Sequence, residues 1–260
     1  MPIATISPTE KPKRERKHCL FCENFANSKE DTFPLWLLEV IGKHEDMYKT
    51  VRGLPTTVQK GSAVLRIRTV CETCNNGWMS ELEEDVIPVL RPLLLDLSIP
   101  LSSEQQSLLA TWVMKTGMVL DSIYKHVHFY QKDERKNLRQ SRTVPDGTAI
   151  WIGRFFGNGK HAGLSDFALD SPPHLKVANG CVITFVLGHV IFQVLSVRPR
   201  PDYKELQLHA PFRPGRWSEL LTRIWPNTQG RTIWPPPLSF TLYSAFSIRS
   251  LVNRFRPMND

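Results

Sequence analysis

"CETCNNGWMSELEED", residues 71–85, sets two cysteines two residues apart, directly before an asparagine pair, a glycine and a run of acids. The 260-residue chain has five cysteines, and four fall in two such pairs, Cys19-Leu20-Phe21-Cys22 and Cys71-Glu72-Thr73-Cys74. Two residues between thiols let a tight turn aim both sulfurs at one ion. Two such knuckles close a tetrahedral shell of four cysteines, the usual arrangement for structural Zn2+. A closed shell leaves no position for water or substrate, so this metal supports folding rather than chemistry. Two other readings compete: a redox CxxC, which needs only one pair at a strand-to-helix step, and four unlinked thiols. Residues 23–70 separate the pairs, a longer gap than in a compact zinc ribbon. The predicted metal-stapled module accordingly spans residues 18–97. His18, beside the first knuckle, is a competing ligand, although four thiolates suffice. Cys181, inside "CVITFVLG", reads as a small buried residue.

Outward from the knuckles, "FPLWLLEVIG" (33–42) reads as a short apolar helix behind a proline. "SAVLRIRTVC" (62–71) alternates like a strand running into the second knuckle. A helix follows from near Trp78, with Met79, Leu82, Val86 and Val89 on one stripe and Pro88 bending or ending it. "LSSEQQSLLATWVMKTGMVLDSIY" (101–124) is the clearest helix, capped by Ser102 or Ser103 and apolar along one stripe. With the basic "KDERKNLRQSR" (132–142) it forms a helical segment over residues 98–147. From residue 148 to 260 the texture changes to "TAIWIGRFFG", "HLKVANGCVITFVLGHVIFQVLSV" and "YKELQLHAP", strands punctuated by Gly and Pro. Asn179-Gly180 and Gly188-His189 are turn candidates. The Trp- and Pro-rich "RIWPNTQGRTIWPPP" (223–237) is predicted to wrap over this small antiparallel sheet. The fold class is therefore α+β.

Lys plus Arg outnumber Asp plus Glu by 33 to 25, a net charge of +8, which favours a polyanionic partner such as nucleic acid. Residues 1–17 read as a disordered basic arm in which Lys13, Arg14, Arg16 and Lys17 can neutralise phosphates; a solvated tail explains them equally well. No run of eighteen apolar residues occurs, and the first nineteen residues lack an apolar signal core. A reducing cytoplasm is the expected location, where paired cysteines favour metal over disulfide.

"CLFC" followed by "NSKEDTFPLWLL" and then "CETCNNGWMSELE" resembles a group of HNH-type endonuclease proteins, in which two CxxC knuckles bracket an E-H-x-x-P-x-W-L segment and the second runs into C-N-x-G-W. "LLATWVMKTGMVL", "WIGRFFG", "ITFVLGHVIFQV" and "IWPNTQGRTIWPPP" are also similar to the downstream part of such proteins, so the resemblance covers most of the chain after Cys19. It implies a ββα unit, a divalent Mg2+ or Mn2+ ion, and hydrolysis of DNA phosphodiester bonds. Carried over by position, Glu30 is the acidic metal ligand and Asn75 the second ligand, with Asn76 the less favoured alternative. Arg66 and Arg68, together with the basic arm, would grip phosphates.

Asp31 stands where the resemblance has its histidine base. A free aspartate has a pKa of about 3.9 against about 6.5 for histidine, and a nearby cation lowers it further, so Asp31 is a poor base at neutral pH. Three outcomes are open: an inactive relative, Asp31 as an extra metal ligand, or a substitute base such as His18 or His44. Plainer readings stand beside these. Glu30 and Asp31 suit the N-terminal end of the helix behind Pro34, Asn75 and Asn76 suit a turn freed by Gly77, and the acids at 81–85 suit a solvated helix face. Three functions therefore remain: a DNA-cleaving HNH protein, a non-catalytic zinc module that binds DNA, and a protein-interaction scaffold.

Overall fold

The computed structural model describes residues 17–42, 46–50, 57–61, 66–122, 128–171, 175–203, 220–227 and 230–241. The chain is of mixed class, with helices, two two-stranded antiparallel sheets and one six-stranded sheet that is mostly antiparallel but includes two parallel pairings. Strand β1 (Ser28–Asp31) is followed by helix α1 (Leu35–Ile41), which buries Leu37 and Ile41 and ends at Gly42. Strands β2 (Asp46–Thr50) and β3 (Thr57–Gly61) pair antiparallel. Strand β4 (Arg66–Val70) returns to pair antiparallel with β1, setting Ser28 opposite Val70, Glu30 opposite Ile67 and Asp31 opposite Arg66, with a bulge between Ser28 and Glu30. A single turn, α2 (Glu72–Cys74), then widens through residues 75–79, kinks at Gly77 and continues as α3 (Ser80–Leu94).

Pro88 does not end α3. It and Pro92 lie inside the helix, while Leu82, Val86, Val89, Leu90, Leu93 and Leu94 form its buried face. Strand β5 (Ile99–Leu101) leads to α4 (Ser103–Ser122). Ser102 caps α4 reciprocally: its hydroxyl accepts from the Gln105 N–H at 3.3 Å, and the Gln105 side chain accepts from the Ser102 N–H at 2.9 Å. The sequence predicts one apolar stripe here, yet every residue from Leu109 to Asp121 is buried. The reason is that other elements cover the helix all round. They are α3, α5 (Lys132–Ser141) and three strands, β6 (Thr148–Ser171), β7 (Leu175–Pro199) and β8 (Leu221–Trp225). Buried polar groups on α4 find specific partners. Gln106 donates to the Leu101 carbonyl at 3.0 Å, and the Asp121 carboxylate accepts from the Phe129 N–H at 2.9 Å.

The long β6–β7 hairpin is the spine of the sheet. One edge of β6 carries β7. Its other edge is shared by β8 at Ile150–Gly153, by β10 (Ser239–Phe240) at Arg154–Phe155, and by β2 at His161–Ala162. Strand β9 (Thr232–Trp234) pairs with β5. The Trp-rich tail thus becomes strands rather than a wrap. One hydrophobic cluster runs from Cys19 and Phe21 through α3 and α4 to Ile183, Phe192 and Trp234. Segment 204–210, including most of "YKELQLHAP", lies outside the described residues.

Neither predicted turn in β7 is a turn; both dipeptides lie inside the strand. Gly180 pairs with Phe167, and Gly188 sits where the β6–β7 register slips between Arg154 and Gly159. Gly188 has φ +56°, and a Cβ there would stand 2.6 Å from the Leu94 carbonyl oxygen and 2.9 Å from Ile41 Cγ2. A glycine read as a turn signal is here a bulge that lets β7 pass the ends of α3 and α1. Gly188→Ala is expected to destabilise by about 2–4 kcal/mol, from left-handed backbone strain and overpacking together. A denaturant melt with an unshifted midpoint would refute this.

Candidate metal centre

The first knuckle is a small hairpin. His18 and Phe25 form a β-bridge, Cys19 N–H donates to the Asn24 carbonyl at 2.7 Å, and Ala26 N–H donates to the Lys17 carbonyl at 2.9 Å. Leu20 N–H donates to the Thr69 carbonyl at 2.7 Å, which fastens the hairpin to β4 just before the second knuckle. The second knuckle is a helix start, with Cys71 as N-cap of α2 and its sulfur accepting from Cys74 N–H at 3.4 Å. The strand predicted to run into Cys71 therefore brings the second pair to the first, and the helical turn that holds Cys74 begins at Glu72, ahead of the start predicted near Trp78.

The four sulfurs of Cys19, Cys22, Cys71 and Cys74 lie within 4.8 Å of one another, close enough to bind a metal ion, which fits a zinc-binding module. Cys22 Sγ stands 3.5 Å from Cys71 Sγ and 3.6 Å from Cys74 Sγ. Zinc–sulfur bonds of about 2.3 Å in a tetrahedron require sulfur–sulfur edges of about 3.8 Å. Cys19, Cys71 and Cys74 are buried and Cys22 is partly buried. Backbone N–H groups also point at sulfur, as thiolate ligands require; Phe21 N–H donates to Cys19 at 3.5 Å.

Electrostatics favours the same conclusion. The Cys74 thiol hydrogen-bonded to Cys19, helped by backbone N–H groups, holds Cys19 down to about 4 against burial. The Cys19 thiolate in turn pushes Cys74 far up, and burial raises Cys22. Negative charge on Cys19 thus disfavours a second thiolate at Cys74. A divalent ion among the sulfurs would offset that repulsion.

Two asparagines and two basic residues that sequence reasoning missed brace the centre. Asn24 Nδ2 donates to Cys71 Sγ at 3.8 Å, and Asn27 Oδ1 accepts from Glu72 N–H at 2.8 Å, so each knuckle holds the other. Arg135 on α5 donates to the Leu20 carbonyl at 2.9 Å, and Lys132 meets the Glu23 carboxylate at 2.6 Å. The asparagines were visible as turn formers in "ENFAN", but nothing in the sequence couples α5 to the knuckle.

The other predicted residues are distributed as follows. Asn75 follows Cys74 on the widened turn, half-buried, and its Nδ2 donates to Ser28 Oγ of β1 at 3.0 Å. Glu30 and Asp31 lie two and three residues further along that strand; Asp31 is half-buried. Only the backbone of Glu30 and of Arg66 is described. Arg68 and Lys17 are exposed, while Lys13, Arg14, Arg16 and His44 lie outside the described residues. His18 is not part of the sulfur cluster: its ring stacks on Phe25 at 5.0 Å, with Nδ1 2.9 Å from the Glu23 carbonyl. Cys181 is fully buried, as predicted.

Fold and site together define a mixed α+β protein with four cysteines placed close enough to bind a metal ion. Comparison with known proteins yields no match: no family model, no curated protein and no solved structure is significantly similar to the chain. Among the described residues, no helix is long and apolar enough to cross a membrane.

Proposed function

We propose that this chain is a zinc-stapled DNA-binding protein of HNH type whose phosphodiester hydrolysis is strongly attenuated by Asp31. The observation that carries the reading is the 3.0 Å contact of the Asn75 carboxamide with Ser28, on the strand that continues into Glu30 and Asp31. An antiparallel strand pair that leads through the second knuckle into a helix supports it further. Exposed Arg68 and Lys17 supply cationic groups for phosphates.

Glu30 and Asn75 are the residues that would hold a Mg2+ or Mn2+ ion. When bound, such an ion stabilises charge on the leaving oxygen. The remaining requirement is a group to accept a proton from the attacking water, and this role falls to Asp31. A carboxylate is intrinsically a weaker base than the imidazole the resemblance has at this position, so proton transfer is the weak step. The second reading, a non-catalytic zinc module that binds DNA, is favoured by the same substitution.

Plasmid nicking with Mg2+ or Mn2+ tests this. Asp31→His is expected to cut at least about 100-fold faster than wild type, the usual contribution of a positioned base. Glu30→Ala or Asn75→Ala in that background should abolish cutting. Activity that persists in both would sink the site assignment. DNA binding without cleavage by either protein would leave the non-catalytic reading in its place.

A further inference from the structure

Between the two knuckles lies an open depression of about 680 Å³, a volume within the range of ligand-binding clefts. Its walls include Asn24, Phe25 and Asn27 of the first knuckle and Glu72, Asn76 and Gly77 of the second. We infer that this depression reads an unstacked adenine base of a bound nucleic acid, an inference that rests on the DNA-binding reading above.

The walls set the chemistry. The eight lining residues include no Lys or Arg, and Glu72 is acidic and exposed, so the depression disfavours phosphate. What it offers is a planar hydrophobic surface beside amide groups. Phe25 is 50% exposed and is steadied by the His18 ring stacked on it at 5.0 Å and 27°. A half-exposed aromatic ring is a stacking platform for a base. Two of the three carboxamides are fixed at one end: Asn24 through its NH2 to Cys71 Sγ, and Asn27 through its oxygen to Glu72 N–H. This leaves an acceptor on Asn24 and a donor on Asn27. The Asn76 side chain is exposed and makes no hydrogen bond among the described residues. Beside it, a Cβ on Gly77 would meet nothing within 4 Å, so the wall is open there.

A carboxamide offers one donor and one acceptor side by side, which matches N7 and the N6 amine of adenine. The Glu72 carboxylate accepts from the same exocyclic amine and repels a carbonyl-bearing edge such as that of thymine. Adenine inside a duplex has its faces covered, so the base must be unstacked to lie on Phe25.

Three otherwise identical labelled duplexes test the inference with the metal-loaded full chain: fully paired, with one unpaired adenine, and with one unpaired thymine. Fluorescence anisotropy is expected to show at least about tenfold tighter binding to the adenine bulge than to the thymine bulge, from one good pair of base-edge hydrogen bonds. Asn76→Ala, at an exposed position, should bring that ratio to within about twofold. Phe25→Ala should weaken both bulges about tenfold while leaving the paired duplex unchanged. Equal affinity for the two bulges, or a ratio unmoved by Asn76→Ala, overturns the adenine site. The paired duplex separates the two ideas. Failure to bind it counts against DNA binding itself, whereas binding it without a bulge preference counts against this site alone.

Discussion

Chelation is expected to unfold the N-terminal part of the protein, if the four sulfurs hold a structural zinc. Elemental analysis should find one zinc per chain, and a strong chelator should lower the thermal midpoint and reduce the helical signal. The magnitude follows from two numbers. A structural zinc contributes about 10–16 kcal/mol of apparent binding free energy at neutral pH, whereas a whole domain is stable by about 5–15 kcal/mol. The elements around the centre cannot compensate, because β1 and β4 are a two-stranded pair of four and five residues, which is marginal alone. Three of the four cysteines belong to the main hydrophobic cluster, together with Phe21, Val70, Trp78 and Met79. Loss of the metal therefore spreads into α3 rather than staying local. Cys74→Ser should reproduce the effect, with Trp78, buried edge-on against Phe21 at 5.0 Å, reporting it by fluorescence. A melt unchanged by chelation would mean that the sulfur cluster is incidental to the fold.

Glu83→Ala destabilises more than Lys115→Met. Lys115 sits on α4 with a fully buried side chain, and its ammonium donates to Glu83 of α3 at 2.7 Å. The Glu83 side chain retains 20% exposure. Removing the acid withdraws a carboxylate from a fully buried ammonium, a loss of about 3–5 kcal/mol. Replacing the lysine with methionine keeps the buried volume and leaves an acid that can reach solvent, which should cost under about 2 kcal/mol. Paired urea melts decide it: an equal loss in the two variants would show that the pair shares the cost evenly and that burial of the ammonium is not the controlling term.

Parts of this organisation were legible because chemistry forces them. Two pairs of thiols at CxxC spacing have few uses other than holding one ion, so the convergence of Cys19, Cys22, Cys71 and Cys74 could be read across 48 intervening residues. Helix α4 was legible from Ser102 and Gln105, which carry their own start signal. Its burial on all sides was not, because burial depends on which elements arrive around it. Nor was the length of β6 and β7. A glycine marks a freedom of the backbone, and a turn and a bulge use the same freedom; only the closeness of Leu94 to Gly188 distinguishes them. The contact of Asn75 with Ser28 joins residues 47 apart, and no periodicity announces it.

The shared edge of β6 has a consequence for how the chain is made. Strand β2 adds to β6 at His161 and Ala162, more than a hundred residues after Met47 and Tyr48, and β8 and β10 complete the same edge from further on still. At synthesis rates of about 5–20 residues per second, β2 has emerged roughly 6–23 s before its partner exists. The knuckles close much sooner, because Cys74 follows Cys22 by 52 positions. All four cysteines therefore leave the ribosome well before the β6 edge exists, so β2 must wait for its partner next to residues that could already have closed on an ion.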